Sequence, residues 1–168
     1  TGKTLSPLGL TEQFRVVFIC AARHVGVALA KSAITMKKRV AFAFGCTNVD
    51  DIRLHYFAAK EATRDWRTGG IRKVDNSVGD NVDLMICDVK SYLYAMNYMH
   101  AFNPLDRLIM YWDEPTIMLD YADHAYHPII HNTWAKNIIP NVVLSSATLP
   151  QENEIRSTLS DFHARFPG

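Results

Sequence analysis

Three short stretches of this chain hold residue types that could act together on a phosphate. Gly2-Lys3-Thr4 reproduces the end of the pattern G-x-x-x-x-G-K-[ST], in which backbone N–H groups at a helix N-terminus surround phosphates while the Lys and the Ser/Thr meet the γ-phosphate and Mg2+. Taken alone it is weak, and a solvated terminus is the better reading. "LIMYWDEPT" (108–116) is an apolar run of strand length that delivers Asp113 and Glu114 at its carboxyl end. Nucleotide hydrolysis needs two carboxylates so placed, the first to hold the Mg2+ shell and the second to polarise the attacking water. An acidic pair after a strand can also cap a helix. "VVLSSATLP" (142–150) ends another apolar run in Ser146-Ala147-Thr148, small hydroxyl residues that can also simply close a strand.

These residues need elements to hold them, and the sequence alternates strand-length apolar runs with segments of helical length. The runs are "FRVVFICA" (14–21), "RVAFAF" (39–44), "VDLMIC" (82–87), "RLIMYW" (107–112) and "NVVLSS" (141–146). Their hydrophobicity is continuous and not alternating, as in parallel strands covered on both faces. "RHVGVALAKSAITMKK", "DVKSYLYAMNYMHAF" and a stretch from about 120 to 137 are long enough to be crossover helices. The expected fold is therefore α/β, a mostly parallel sheet with helices on both faces and the strand carboxyl ends on one edge, where ligands bind. Segment 45–81 reads as an elaborated connection within one domain: "DDIRLHYFAAKEATRDW" is long enough for a helix, while "RTGGIRK" and "DNSVGDN" are turn-rich.

Composition narrows the classes. A chain of 168 residues that is 48% apolar can bury a sizeable core. Its 18 basic and 17 acidic side chains give a formal charge of +1, so any nucleic-acid contact must be local. Cys20, Cys46 and Cys87 are odd in number, widely spaced and embedded in apolar runs, which fits reduced thiols and an intracellular setting, cytoplasm or nucleus and a viral source included, not a secreted one. No apolar run reaches the length of a membrane span, and the first residues lack a signal-peptide layout.

In their order and spacing, "GKT", "DEPT" and "SSATLP" resemble the first motor domain of superfamily 2 helicases, the DEAD-box-like, RecA-like P-loop NTPase fold, from the first residue to about Pro150. The resemblance implies that residues 1–168 are part of an N-terminal RecA-like ATP-binding domain, with its first strand and the start of the phosphate loop upstream and a second RecA-like domain downstream. It implies a nucleic-acid-dependent ATP hydrolase with ATP and Mg2+ as ligands. Gly2, Lys3 and Thr4 would hold the phosphates, with Lys3 on the β- and γ-phosphates and Thr4 on Mg2+. Asp113 would hold the Mg2+ shell and Glu114 would activate water. Ser146, Ala147 and Thr148 would couple nucleotide state to domain movement. Pro115-Thr116 departs from the Ala-Asp or Ala-His of the DEAD-box and DEAH-box subgroups proper.

The implied partners are DNA or RNA and the second RecA-like domain, whose arginine would stabilise the transferred phosphate; no membrane is implied. Candidate nucleic-acid contacts are Arg23, where the family often has Pro-Thr-Arg, and the double-glycine loop Gly69-Gly70 flanked by Arg67, Arg72 and Lys73. Lys90 and Ser91 stand where the family has Thr-Pro-Gly-Arg, although an ordinary helix start with Asp88 as its cap fits "CDVKSYL" better. His124, His127 and His131 fall at helical offsets but are separated by Pro128, and a metal site there is not expected. The aromatic and Met run 92–102 reads as helix packing. Two other classes compete with the motor: a nucleotide-dependent module that clamps nucleic acid or protein without turnover, and another P-loop enzyme such as a kinase.

Overall fold

The computed structural model describes residues 2–20, 22–55, 58–59, 62–64, 66–75, 77–114, 127–145 and 156–167. In chain order they form α1 (Gly2–Leu10), β1 (Arg15–Cys20), α2 (Arg23–Thr35), β2 (Val40–Ala43), β3 (Arg53–Leu54), β4 (Ala62–Arg64), β5 (Ile71–Val74) and β6 (Leu84–Asp88). There follow α3 (Tyr92–Phe102), β7 (Leu108–Asp113), α4 (His127–Lys136), β8 (Asn141–Ser145) and α5 (Arg156–Arg165). Among the described residues, six strands make one sheet in the order β3-β2-β6-β1-β7-β8. Its pairings are parallel except for β2 with β3.

The continuous apolar runs become strands because both of their faces are covered. In β1, Val16, Phe18 and Cys20 join a cluster with Leu8 of α1 and Leu29, Ala30 and Ala33 of α2. Val17 and Ile19 join a cluster on the opposite face with Tyr92, Ala95, Met96 and Met99 of α3 and Ile130 of α4. The connection from β1 to β2 passes one way over β6, and the connection from β6 to β7 passes the other way over β1. Crossovers of one hand travelling in opposite directions put their helices on opposite faces, which is where α2 and α3 are found. The run 92–102 is thus a packing helix, fastened by the buried bond from Tyr92 Oη to Asn137 Oδ1 at 2.7 Å. Farther along, α5 docks on the end of α4: Phe162 stacks at 5.8 Å from Trp134, and Arg165 donates to the carbonyls of Trp134 and Ala135, each at 2.8 Å. A cation meeting the last carbonyls of a helix satisfies groups that the helix leaves open.

The described residues of segment 50–66 depart from the helical reading. Ile52 and Leu54 are buried while Arg53 between them is exposed, a period of two, and Leu54 pairs with Ala41 to make β3. The preceding turn is closed on itself, with Asn48 Oδ1 accepting from Asp50 N and Asp51 Oδ2 from Thr47 N, so it does not propagate. Next comes the β4–β5 hairpin, a separate two-stranded sheet.

At the sheet's amino edge, an ion cluster joins three strand beginnings. Asp83, at the foot of β6, accepts from Arg15 Nη1 at 2.5 Å, from Arg39 N at 2.9 Å and from the Arg39 guanidinium at 3.1 Å. Beside it Lys38 pairs with Glu12. Burial works to raise the Asp83 carboxyl, but the hydrogen bonds and charge of Arg39, with Arg15 behind them, outweigh it and hold the group below its ordinary 3.8.

Candidate functional site

The carboxyl edge is built by the ends of β1, β6, β7 and β8. β7 and β8 are in register so that Asp113 lies opposite Ser145. Immediately beyond, Glu114 takes φ of 52° and its amide donates to the Ser145 carbonyl at 2.6 Å. Left-handed backbone at a non-glycine residue costs on the order of 1 kcal/mol or more, so the turn is held by its surroundings and not by local preference. Two of the sequence motifs therefore meet: the acidic pair is bonded to the residue just before Ser146. Ser146, Ala147 and Thr148 themselves lie outside the described residues, as do Pro115 and Thr116.

β1 ends beside both carboxylates. Cys20 is opposite Asp88 in the pairing with β6, and the pairing of Ile19 with Trp112 brings it alongside Asp113. Its thiol is buried and donates to the Cys87 carbonyl at 3.4 Å. Burial first, then the charges of Asp88 and Asp113, raise this thiol from the ordinary 9.0 to about 11. Gly26 makes the close fit of α2 possible, because a Cβ there would come within 2.8 Å of Ile86 Cγ2 and 3.0 Å of Cys20 Sγ.

Asp88 is committed to holding the chain. Its Oδ2 accepts from Gly45 N at 2.9 Å and its Oδ1 from Ser91 N at 2.8 Å, so it caps the turn that starts α3 as the sequence suggested. Ser91 is fully buried and its Oγ accepts from Cys46 N at 2.9 Å. The candidate pair Lys90-Ser91 is thereby split: Lys90 is exposed, whereas Ser91 is sealed into the join between β2 and α3.

Arg23 opens α2 just past the end of β1, is exposed, and lays its guanidinium 5.0 Å from the centre of the Phe44 ring. Gly2, Lys3 and Thr4 form the first turn of α1. A tight reversal follows, with Thr11 N bonded to Leu8 O and Phe14 N to Leu10 O. β1 then follows, with Leu8 of α1 packed in the cluster of Val16, Phe18 and Cys20. Gly69 and Gly70 sit in the turn of the hairpin, Gly69 at φ of 69°. That hairpin joins the large sheet by its amino edge, through His55 N on Val40 O and Asp83 N on Arg39 O. The structure thus links the acidic pair, the Ser-rich strand end and Arg23 to one edge, and gives the double glycine no tether there.

The left-handed Glu114 was not readable from its identity: Pro115 disfavours right-handed helical backbone at the residue before it, which by itself points to extended backbone there. The stacking of Arg23 on Phe44 had no signal in sequence. Among the described residues no group of three or more His, Cys, Asp or Glu is placed to hold a metal, and no helix is long and apolar enough to cross a membrane. His124 is outside the described residues, and Pro128 falls in the first turn of α4, where proline is tolerated. Comparison with protein-family models and with curated proteins gave no match to this chain.

Proposed function

We propose that this chain is the ATP-binding segment of a superfamily 2 helicase or translocase, RecA-like in fold, which couples ATP hydrolysis to movement on or remodelling of DNA or RNA. The observation that carries the reading is the bond from the Glu114 amide to the Ser145 carbonyl. It joins the strand that ends in two carboxylates to the strand that leads into Ser-Ala-Thr, the contact such a motor needs between its hydrolytic and coupling residues. A half-buried aspartate at a strand end is a hard oxygen donor, which suits Mg2+. In this reading Asp113 and Thr4 hold Mg2+, and Gly2 and Lys3 hold the phosphates of ATP. Bound Mg2+ neutralises charge developing on the phosphate oxygens. Glu114 orients the attacking water and takes its proton. Arg23 meets a nucleic-acid phosphate, and a second RecA-like domain supplies the arginine for the transferred phosphate.

The test uses the segment in a polypeptide that supplies the rest of the phosphate loop and the second domain. Glu114→Gln should leave ATP affinity near wild type and reduce turnover by about two orders of magnitude, as expected for loss of a general base. Lys3→Ala should weaken binding as well, because it acts in the ground state too. Polynucleotide should raise the wild-type rate and do little for Glu114→Gln. A Glu114→Gln protein that hydrolyses ATP at the wild-type rate removes Glu114 from the chemistry and leaves a nucleotide-dependent binding module in its place.

A further inference from the structure

The chain has tryptophans at positions 66, 112 and 134. Trp112 is 3% exposed in the core, and Trp134 is packed on Phe162. Trp66 is 84% exposed, at the tip of the β4–β5 hairpin. A single apolar side chain in water needs no explanation by itself. This one is prepared. The guanidinium of Arg67 lies 4.8 Å from the centre of the indole, so one face is backed by a cation while the exposure of the residue leaves the other to solvent. The turn that carries it is fixed by Gly69 at φ of 69° and by Gly70 N donating to Thr68 Oγ1 at 3.3 Å.

Charge identifies the kind of ligand. Between 64 and 74 the sequence has Arg64, Arg67, Arg72 and Lys73 against the lone acid Asp65, in a chain whose formal charge is only +1. Basic residues are therefore concentrated on the short hairpin that presents the indole. Cations with one open aromatic face fit a polyanion whose bases are unstacked, because phosphate and base alternate along it and every base has a π-face. A duplex keeps its bases stacked and has no face to offer.

We infer that Trp66 and Arg67 form a stacking platform for one base of single-stranded DNA or RNA, with the neighbouring basic residues on the adjacent phosphates. The inference rests on the nucleic-acid reading above and extends it to a second contact: the hairpin is rooted at the amino edge of the sheet, so the strand is gripped away from the hydrolytic edge. Stacking tolerates any base, and the contact therefore gives grip without sequence preference.

The test is tryptophan fluorescence of the intact 168-residue chain, titrated with an oligothymidylate and, in parallel, an oligouridylate. Both should quench the emission. Trp66→Ala should weaken binding by roughly tenfold to a hundredfold, leaving the salt dependence of affinity unchanged, and Trp66→Phe should restore most of it. Arg72→Ala, which removes one of the neighbouring basic residues assigned to the phosphates, should lower the salt slope by about one. Because Trp66 is exposed, its substitution should not move the thermal midpoint. Equal affinity of Trp66→Ala and wild type overturns the platform while leaving nucleic-acid binding intact. Failure of both oligonucleotides to bind also overturns it, and the Glu114→Gln hydrolysis assay then judges the motor reading separately. Loss of self-association in Trp66→Ala, with oligonucleotide affinity unaffected, overturns it in favour of a protein interface.

Discussion

The two edges of the large sheet use charge in opposite ways. At the amino edge one carboxylate, Asp83, sits between two guanidiniums, and Glu12 meets Lys38. Positive and negative groups there are matched within hydrogen-bonding distance and bind strand beginnings together. At the carboxyl edge Asp88 and Asp113 end the two strands that flank β1, with the Cys20 thiol between them too deeply buried to ionise readily, and Glu114 follows Asp113. Asp88 is consumed by two backbone amides, and Arg23 is laid on Phe44. One edge is assembled for cohesion. The other brings two acidic residues and left-handed backbone together at Asp113-Glu114, where the function proposed above places its chemistry.

The largest effect that can break this contrast is on the thiol. With Cys20 raised from 9.0 to about 11, its thiolate fraction near neutral pH should be about a hundredfold below that of the unfolded chain. A disulfide reagent should react slowly with Cys20, Cys46 and Cys87 in the native protein and quickly after denaturation, since all three are buried. Rapid native labelling of Cys20 would mean that the carboxyl edge is open to its floor.

Next in size is Asp83→Asn, which should lower stability by about 2 to 3 kcal/mol by denaturant titration, because charged hydrogen bonds are lost and two arginines are left without their carboxylate. Its pH signature follows from the depressed carboxyl. The stabilisation is fully present above the unfolded value, near 3.8, and disappears as the pH falls through the lower folded value. Asp83→Asn should therefore lose that part of the acid transition. An unchanged midpoint and an unchanged acid profile would show that the amino edge does not hold the fold.

The smallest effect is expected at the strained turn. Glu114→Gly removes the cost of left-handed backbone and should make the protein about 0.5 to 1 kcal/mol more stable, while abolishing the hydrolysis proposed for this residue. Stability gained on one edge and lost on the other would sharpen the contrast. A destabilised Glu114→Gly would show that the side chain, and not the backbone, anchors the turn.

Much of the sheet was legible because its parallel strands announce themselves by unbroken apolar runs. The runs 14–21 and 107–112 correspond to Arg15–Cys20 and Leu108–Asp113. What escaped was decided by partners distant in sequence. Ile52 and Leu54 alternate for only a few residues, too briefly to outweigh the helical length of their segment, and it is pairing with β2 that makes them a strand. Asp83 and Arg39 are 44 residues apart, and neither has a local pattern that names the other. In the site, Asp113 was legible because a buried strand has to end somewhere polar. Ser91 was misleading because a serine after a strand looks the same in sequence whether it faces solvent or, as here, closes a buried join.

The two-residue strand β3 has a consequence for the company this protein keeps. A parallel sheet ending in a long apolar border strand offers a row of open amide and carbonyl groups to any passing chain. Here β2 is screened by a strand only two residues long, running the other way and carrying the exposed Arg53. A second molecule trying to extend the sheet on that side would find almost no ladder to continue and would have to bury a guanidinium to reach it. That border is therefore protected against fibrous stacking by its brevity and its charge.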